Sequence, residues 1–246
     1  MGRDPAGRLG VAAEAARAAA TIALVTTEGA PTDRTRVRRH PERGAYDRAT
    51  IDAILDEALF AHVAWVTHEG SPRVIPTIHV RVGDVLYLHG SEASRTLRGL
   101  RTGGECCVEV TLLDGLVLAR STPMHSLNYR SVVVYGVARE ITDPDEKDRA
   151  QRALVEHVMP GRVAEVRVPS DKELKETAIH AISLDEGSAK VRTGGPKDPD
   201  EDLDLPIWAG VLPLLASAGA PIPSDDLREG IAVSPSVAGY RPPSIA

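Results

Sequence analysis

Val85-Leu86-Tyr87-Leu88-His89-Gly90-Ser91-Glu92-Ala93-Ser94-Arg95-Thr96-Leu97-Arg98-Gly99-Leu100-Arg101 is the stretch from which the rest of the chain can be read. Val85 to Leu88 is an apolar run and predicts a short strand. Leu97 to Arg101 opens a helix. Between them stand hydroxyls at Ser91, Ser94 and Thr96 and a guanidinium at Arg95. A strand that breaks into hydroxyls and an arginine, and then starts a helix, suits a phosphate. The first N–H groups and the positive dipole end of the helix are open, and arginine pairs bidentately with phosphate oxygens. Taken alone, the same residues also fit an N-capped helix with a solvated arginine.

Upstream, two further strands are predicted, His62–Thr67 and Arg73–Val80, with turns at His68–Pro72 and Val82-Gly83-Asp84. Such short gaps argue for an antiparallel meander rather than parallel units. Pro76 cannot donate to a ladder, so its strand is interrupted or lies on an edge there, leaving backbone groups for a ligand. Before the meander, Ile51, Ile54, Leu55 and Leu59 recur at helical spacing between Tyr46 and Leu59, with Asp47 or Thr50 as cap.

Downstream of the helix near 94–102, Cys106–Leu112 reads as a strand, Asp114-Gly115 as a turn and Leu116–Ala119 as the partner strand. Tyr129–Ile141 is β-rich. A helix starts at Asp143-Pro144-Asp145 and ends at Met159-Pro160-Gly161. Thr177–Leu184 alternates and reads as a final strand continuing towards Val191. About six strands, few helices and no βαβ alternation predict a mainly β fold with helical additions, closing as a small antiparallel barrel.

Residues 1–34 read as a flexible leader, helical at most over Val11–Val25, residues 35–215 as the folded domain, and 216–246 as an extended or disordered tail. Within the Pro- and Asp-rich region after Lys197, Leu205-Pro206-Ile207-Trp208-Ala209-Gly210-Val211-Leu212-Pro213 is an apolar island that asks for a surface to cover. The 246 residues carry a net charge of −6, which argues against coating nucleic acid or an anionic membrane. No apolar run is long enough to span a bilayer. The only cysteines, Cys106 and Cys107, are adjacent; they neither bridge easily nor supply a metal site, and they fit a reducing cytoplasm.

In this order, Arg73-Val74-Ile75-Pro76-Thr77, Leu86-Tyr87-Leu88-His89-Gly90, Ser94-Arg95-Thr96, Asn128-Tyr129-Arg130-Ser131-Val132-Val133-Val134-Tyr135-Gly136 and Pro206-Ile207-Trp208-Ala209-Gly210 resemble the flavin-nucleotide-binding proteins of the pyridoxamine 5′-phosphate oxidase-like superfamily. The resemblance covers about residues 36–215. It implies an antiparallel six-stranded split β-barrel of the FMN-binding type, and a homodimer with the cofactor at its interface.

Carried over residue by residue, the resemblance sets Val74, Ile75, Pro76 and Thr77 along the isoalloxazine edge. His89 and Gly90 flank the ribityl–phosphate arm, Ser94, Arg95 and Thr96 hold the phosphate, and the Ser91 hydroxyl stands beside them as a further cofactor donor. Arg130 and Ser131 approach the neighbouring subunit's flavin, and Trp208 covers it. Thr96 stands where many relatives have lysine, with Arg98 or Arg101 as possible compensation. The tail after Trp208 has no histidine, so the substrate-binding arginine–histidine pair of the pyridoxal phosphate-forming oxidases is missing. His89 matches a histidine of the nitroimidazole-resistance reductases, a one-residue match.

The reading is an FMN-dependent oxidoreductase acting on a small-molecule substrate, with no catalytic side chain assigned. A deazaflavin presents a phosphate to the same loop. A haem is the further alternative, with His79, His125 or His180 as axial ligand. Two competing readings are a non-catalytic store or sensor of the same fold, and an interaction module whose leader and tail recruit a partner.

Overall fold

The computed structural model describes residues 29–242. The leader's first 28 residues, with the expected Val11–Val25 helix, lie outside the described residues. Ten strands form one sheet: β1 (Gly44–Ala45), β2 (Phe60–Val66), β3 (Pro72–Val82), β4 (Val85–Ser91), β5 (Glu105–Leu118), β6 (Ser126–Val137), β7 (Arg139–Glu140), β8 (Thr177–Ser183), β9 (Gly187–Arg192) and β10 (Gly210–Pro213). Helices α1 (Arg48–Glu57), α2 (Arg95–Leu100), α3 (Pro144–Val158), α4 (Asp171–Glu176) and α5 (Pro235–Ala238) decorate it. The order is β1-β9-β6-β5-β2-β3-β4-β8-β7, antiparallel throughout, with β10 added to β5.

Alternation fixes which side of each strand is buried. Ala61, Val63 and Trp65 of β2 point inward, while Phe60, His62 and Val66 point out. The core gathers Val63, Leu86, Leu88, Val108, Val110, Val132, Val134 and Ile182 with Ile51, Ile54 and Leu55 of α1, whose first turn is capped by Asp47. Each such side chain contributes about 1.5–3 kcal/mol by burial. A smaller cluster of Ile141, Ala150, Ile179 and Ala181, with Val85 and Tyr87, lies beneath α3. The sheet curls so that a Cβ on Gly136 would meet Ile182 Cγ2 at 3.0 Å, yet it does not close.

The opening follows from the registers. β3 pairs with β2 over Pro72–Ile78 but with β4 only over His79–Val82. From Ile78 back to Pro72 it therefore has a neighbour on one side only, and Pro76 sits in that stretch, as a residue without an N–H requires. β4 continues beyond the split, its His89–Ser91 segment paired to β8 alone. Helix α2 packs closely against both walls: a Cβ on Gly90 would lie 3.0 Å from Leu97, and one on Gly99 would lie 2.5 Å from Trp65 Nε1.

Two expected elements differ. Asp114-Gly115 is not a hairpin turn; β5 runs on to Leu118 through a bulge between Leu113 and Gly115, because β6 pairs with it on both sides of the irregularity. The strand beginning at Thr177 does not continue to Val191. It ends at Ser183, and Gly187–Arg192 crosses to pair with β6 instead. Beyond β10 the chain is exposed until α5, where Glu165 accepts hydrogen bonds from the Ser236 N–H and hydroxyl. Arg34, assigned to the leader, is tied to the domain through Glu105 and Glu186 and by stacking on Tyr135. Among the described residues no helix is long and apolar enough to cross a membrane.

Candidate functional site

The inward residues of the one-sided part of β3 are Arg73, Ile75 and Thr77, set opposite Trp65, Val63 and Ala61. Where β3 leaves β4, Arg73 and Ile75 line a cleft of about 510 Å³ together with Trp65 and the β2–β3 turn on one side and Arg95, Thr96, Arg98, Gly99 and Thr102 on the other. Thr96 is buried, while Arg95 and Arg98 are exposed at the mouth. Among the described residues none of Arg73, Arg95 and Arg98 has a carboxylate partner, although the chain is acidic overall. Three guanidiniums, the hydroxyls of Thr67, Thr96 and Thr102 and an indole wall, against the single carboxylate of Glu69, are a donor set for a phosphate attached to a flat ring system. A flavin nucleotide fits that description. Arg73, Arg95 and Thr96 would hold its phosphate, and a bound flavin would supply hydride or electron transfer at its ring.

Ile75, Arg95 and Thr96 are thus the sequence-assigned residues that converge. Val74 and Pro76 alternate outward and are exposed. Thr77 faces inward with Ile75, its hydroxyl reaching the Ile78 carbonyl at 3.4 Å. Ser94 is the N-cap of α2, its oxygen accepting from the Leu97 N–H at 3.5 Å, and the Ser91 hydroxyl accepts from the Ala93 N–H at 3.2 Å. Both serines therefore shape the turn, and Gly90 admits Leu97. His89 has a buried Nδ1 with no partner, and burial lowers its pKa.

Arg130, Ser131 and Trp208 stand apart from the cleft. The resemblance sets Arg130 against the flavin of the neighbouring subunit; within this chain its guanidinium is held by two carboxylates. Nε and Nη2 donate to Asp114 at 3.0 and 2.8 Å, and Nη2 and Nη1 donate to Glu57. Burial opposes that charge, but the two carboxylates outweigh it and raise the pKa. Ser131 lies on the outer face of β6, and Trp208 is 66% exposed ahead of β10. The cleft residues that sequence reasoning left out are Trp65, Thr67, His68 and Glu69, Arg73 as a phosphate donor, Gly99 and Thr102. Their signal was distributed over three elements, and only the strand order brings them together.

The histidines considered as axial ligands are now placed. His79 is fully buried, with Nε2 3.0 Å from the Leu55 carbonyl and its ring 5.4 Å from that of His157. His180 is buried with neither ring nitrogen bonded, and His125 is exposed. Cys106 is buried, and burial pushes its thiol up to about 11. Among the described residues no three metal-ligating side chains are clustered.

The open antiparallel barrel with an arginine-lined cleft at its split is a fold of the flavin- or haem-binding class. This chain belongs to the pyridoxamine 5′-phosphate oxidase family, whose model matches residues 47–191. It is similar, at 38% identity and a TM-score of 0.81, to the flavocytochrome Anf3 from Azotobacter vinelandii, over 87% of this chain and 99% of that one. It is equally similar in sequence, at 38% identity and a TM-score of 0.78, to an FAD and haem binding protein from Mycobacterium smegmatis, over 82% and 98% of the two chains. No curated protein matches it.

Proposed function

We propose that the protein is a flavin-dependent oxidoreductase that works as a homodimer, the flavin phosphate seated on Arg73, Arg95 and Thr96. The observation that carries the reading is the cleft at the split, where three arginines without carboxylate partners face an indole wall. The similarity to a flavocytochrome and to an FAD and haem binding protein supports a flavin, and it favours FAD over the FMN that the sequence motifs imply. The protein's part is to bind and orient the ring and to limit water at its face; no side chain in the cleft is assigned as acid or base.

The test is the visible spectrum of the purified protein before and after incubation with FMN or FAD and desalting. A two-banded spectrum that survives desalting is expected. Arg95→Ala is expected to weaken flavin affinity about tenfold to a hundredfold, the loss of one charge-assisted phosphate contact. A variant that purifies with a full flavin complement would overturn the assignment.

A second reading, that haem is bound as well, is favoured by His62. It is exposed on the outer sheet face beside Phe60, its Nδ1 lies 3.5 Å from Glu109, and among the described residues its Nε2 has no hydrogen-bond partner. A carboxylate on one ring nitrogen is the usual support for a metal on the other. A Soret band that shifts or vanishes in His62→Ala supports this reading; a Soret band unchanged in that variant removes His62 from it.

A further inference from the structure

A second cleft, of about 210 Å³, lies between the arm that carries Arg34, Arg36 and Arg38 and the outer face of β6 and β9. Its floor follows from the register. Ser131 lies opposite Lys190, and Val133 opposite Ser188, with Tyr135 next along β6. It shares no residue with the cleft at the split. Arg34 is neutralised by Glu105 and Glu186 and lies 4.9 Å above the Tyr135 ring, which fixes the arm to the sheet. The other cations are poorly compensated. Arg36 and Arg38 share one carboxylate, Asp33, at 3.9 and 2.7 Å, and Lys190 has none among the described residues. Three cations therefore face the cleft with a single acid between them. The buried Ser188 and the half-buried Tyr135 bring hydroxyls to the same place.

We propose that this cleft is a second phosphate-binding site, taking a phosphate or diphosphate group. Its volume admits such a group but is below that of pockets that enclose a ring system. Guanidinium and ammonium donors backed by hydroxyls supply the charge-assisted hydrogen bonds that a phosphate takes. Two sources share this chemistry. One is the second phosphate of a dinucleotide flavin, which FMN lacks; this assignment rests on the flavin reading above, whereas the anion site does not. The other is a separate phosphorylated ligand.

The experiment titrates inorganic pyrophosphate into the full-length protein by calorimetry, in an Arg95→Ala background so that the cleft at the split is silenced, with and without Arg36→Ala and Lys190→Ala. Arg36 is exposed and Lys190 half-buried, and circular dichroism checks the fold. Removing the two charges is expected to weaken pyrophosphate about tenfold or more. In the chain with native Arg95, FAD and FMN are titrated separately. If the double substitution weakens FAD but leaves FMN unchanged, the second phosphate is the flavin's. If neither flavin responds while pyrophosphate does, the site stands and serves a separate ligand, even if the chain binds no flavin at all. Pyrophosphate binding that is absent, or equal with and without Arg36 and Lys190, overturns the proposal.

Discussion

At the scale of single residues, charge separates holding a ligand from holding the fold. Arg95 and Arg130 both stand in family-like motifs, but only Arg95 lacks a carboxylate and reaches a cleft; Arg130 is fully used by Glu57 and Asp114. Sequence spacing cannot distinguish these fates, because the acids that claim Arg130 come from a helix and a bulged strand distant in the chain. His79 gives a pH signature. Burial holds its imidazole neutral, with a pKa of about 4 against an ordinary 6.5; the Leu55 carbonyl pulls it up, and His157 adds to the lowering. The unfolded chain protonates first, so the stabilisation is complete above pH 6.5 and is lost as pH falls from 6.5 towards 4. Between pH 7 and 5 this amounts to about 2 kcal/mol. His79→Gln keeps a donor for the Leu55 carbonyl but cannot titrate, so urea unfolding of this variant is expected to show a smaller loss over that interval. An identical loss would mean that other groups set the acid limit.

At the scale of elements, β2, β4, β5 and β6 were legible because alternation survives in them, and helices α1 and α3 because Asp47 and Asp143 announce their first turns. The errors fell at the bulge at Leu113/Gly115, where Asp-Gly in a continuous strand imitates a turn, and at the break after Ser183, where the chain leaves β4 for β6. Helix α2 was found, but its fit was not. Gly99 reads as a weak point in a six-residue helix, whereas in the structure it is the only side-chain size that lets α2 meet Trp65. Gly99→Ala gains up to about 1 kcal/mol of helix propensity and is expected to lose about 1–3 kcal/mol in displacing a buried indole. The denaturant midpoint and the flavin affinity should fall together, since the same indole walls the cleft. No change in either would show that Trp65 yields freely.

At the scale of the whole molecule, the registers put Val74, Pro76 and Ile78 of β3 beside Phe60, His62 and Ala64 of β2 on one continuous outer face. Val74 is 63% and Phe60 53% exposed, an apolar surface of the kind that marks an interface. The proposed homodimer uses this face. Sedimentation is expected to give a dimer, and Val74→Lys with Ile78→Lys a monomer with weakened flavin binding. A wild-type monomer that retains flavin would remove the dimer from the proposal. Trp208 and Ser131, remote from the cleft of their own chain, belong to the same question, since only a second copy could bring them to a flavin.

The sequence by itself determined the strand meander and the edge character forced by Pro76, and it offered Arg95 and Thr96 to an anion at the start of α2. These are local matters of side-chain period, missing donors and charge. Tertiary structure decided the rest. It chose which arginines keep a free charge, set Trp65 and Arg73 across from α2, and raised a second cationic cleft from an arm and two strands more than fifty residues apart in the chain. Such juxtapositions depend on strand order and register, which no window of sequence contains.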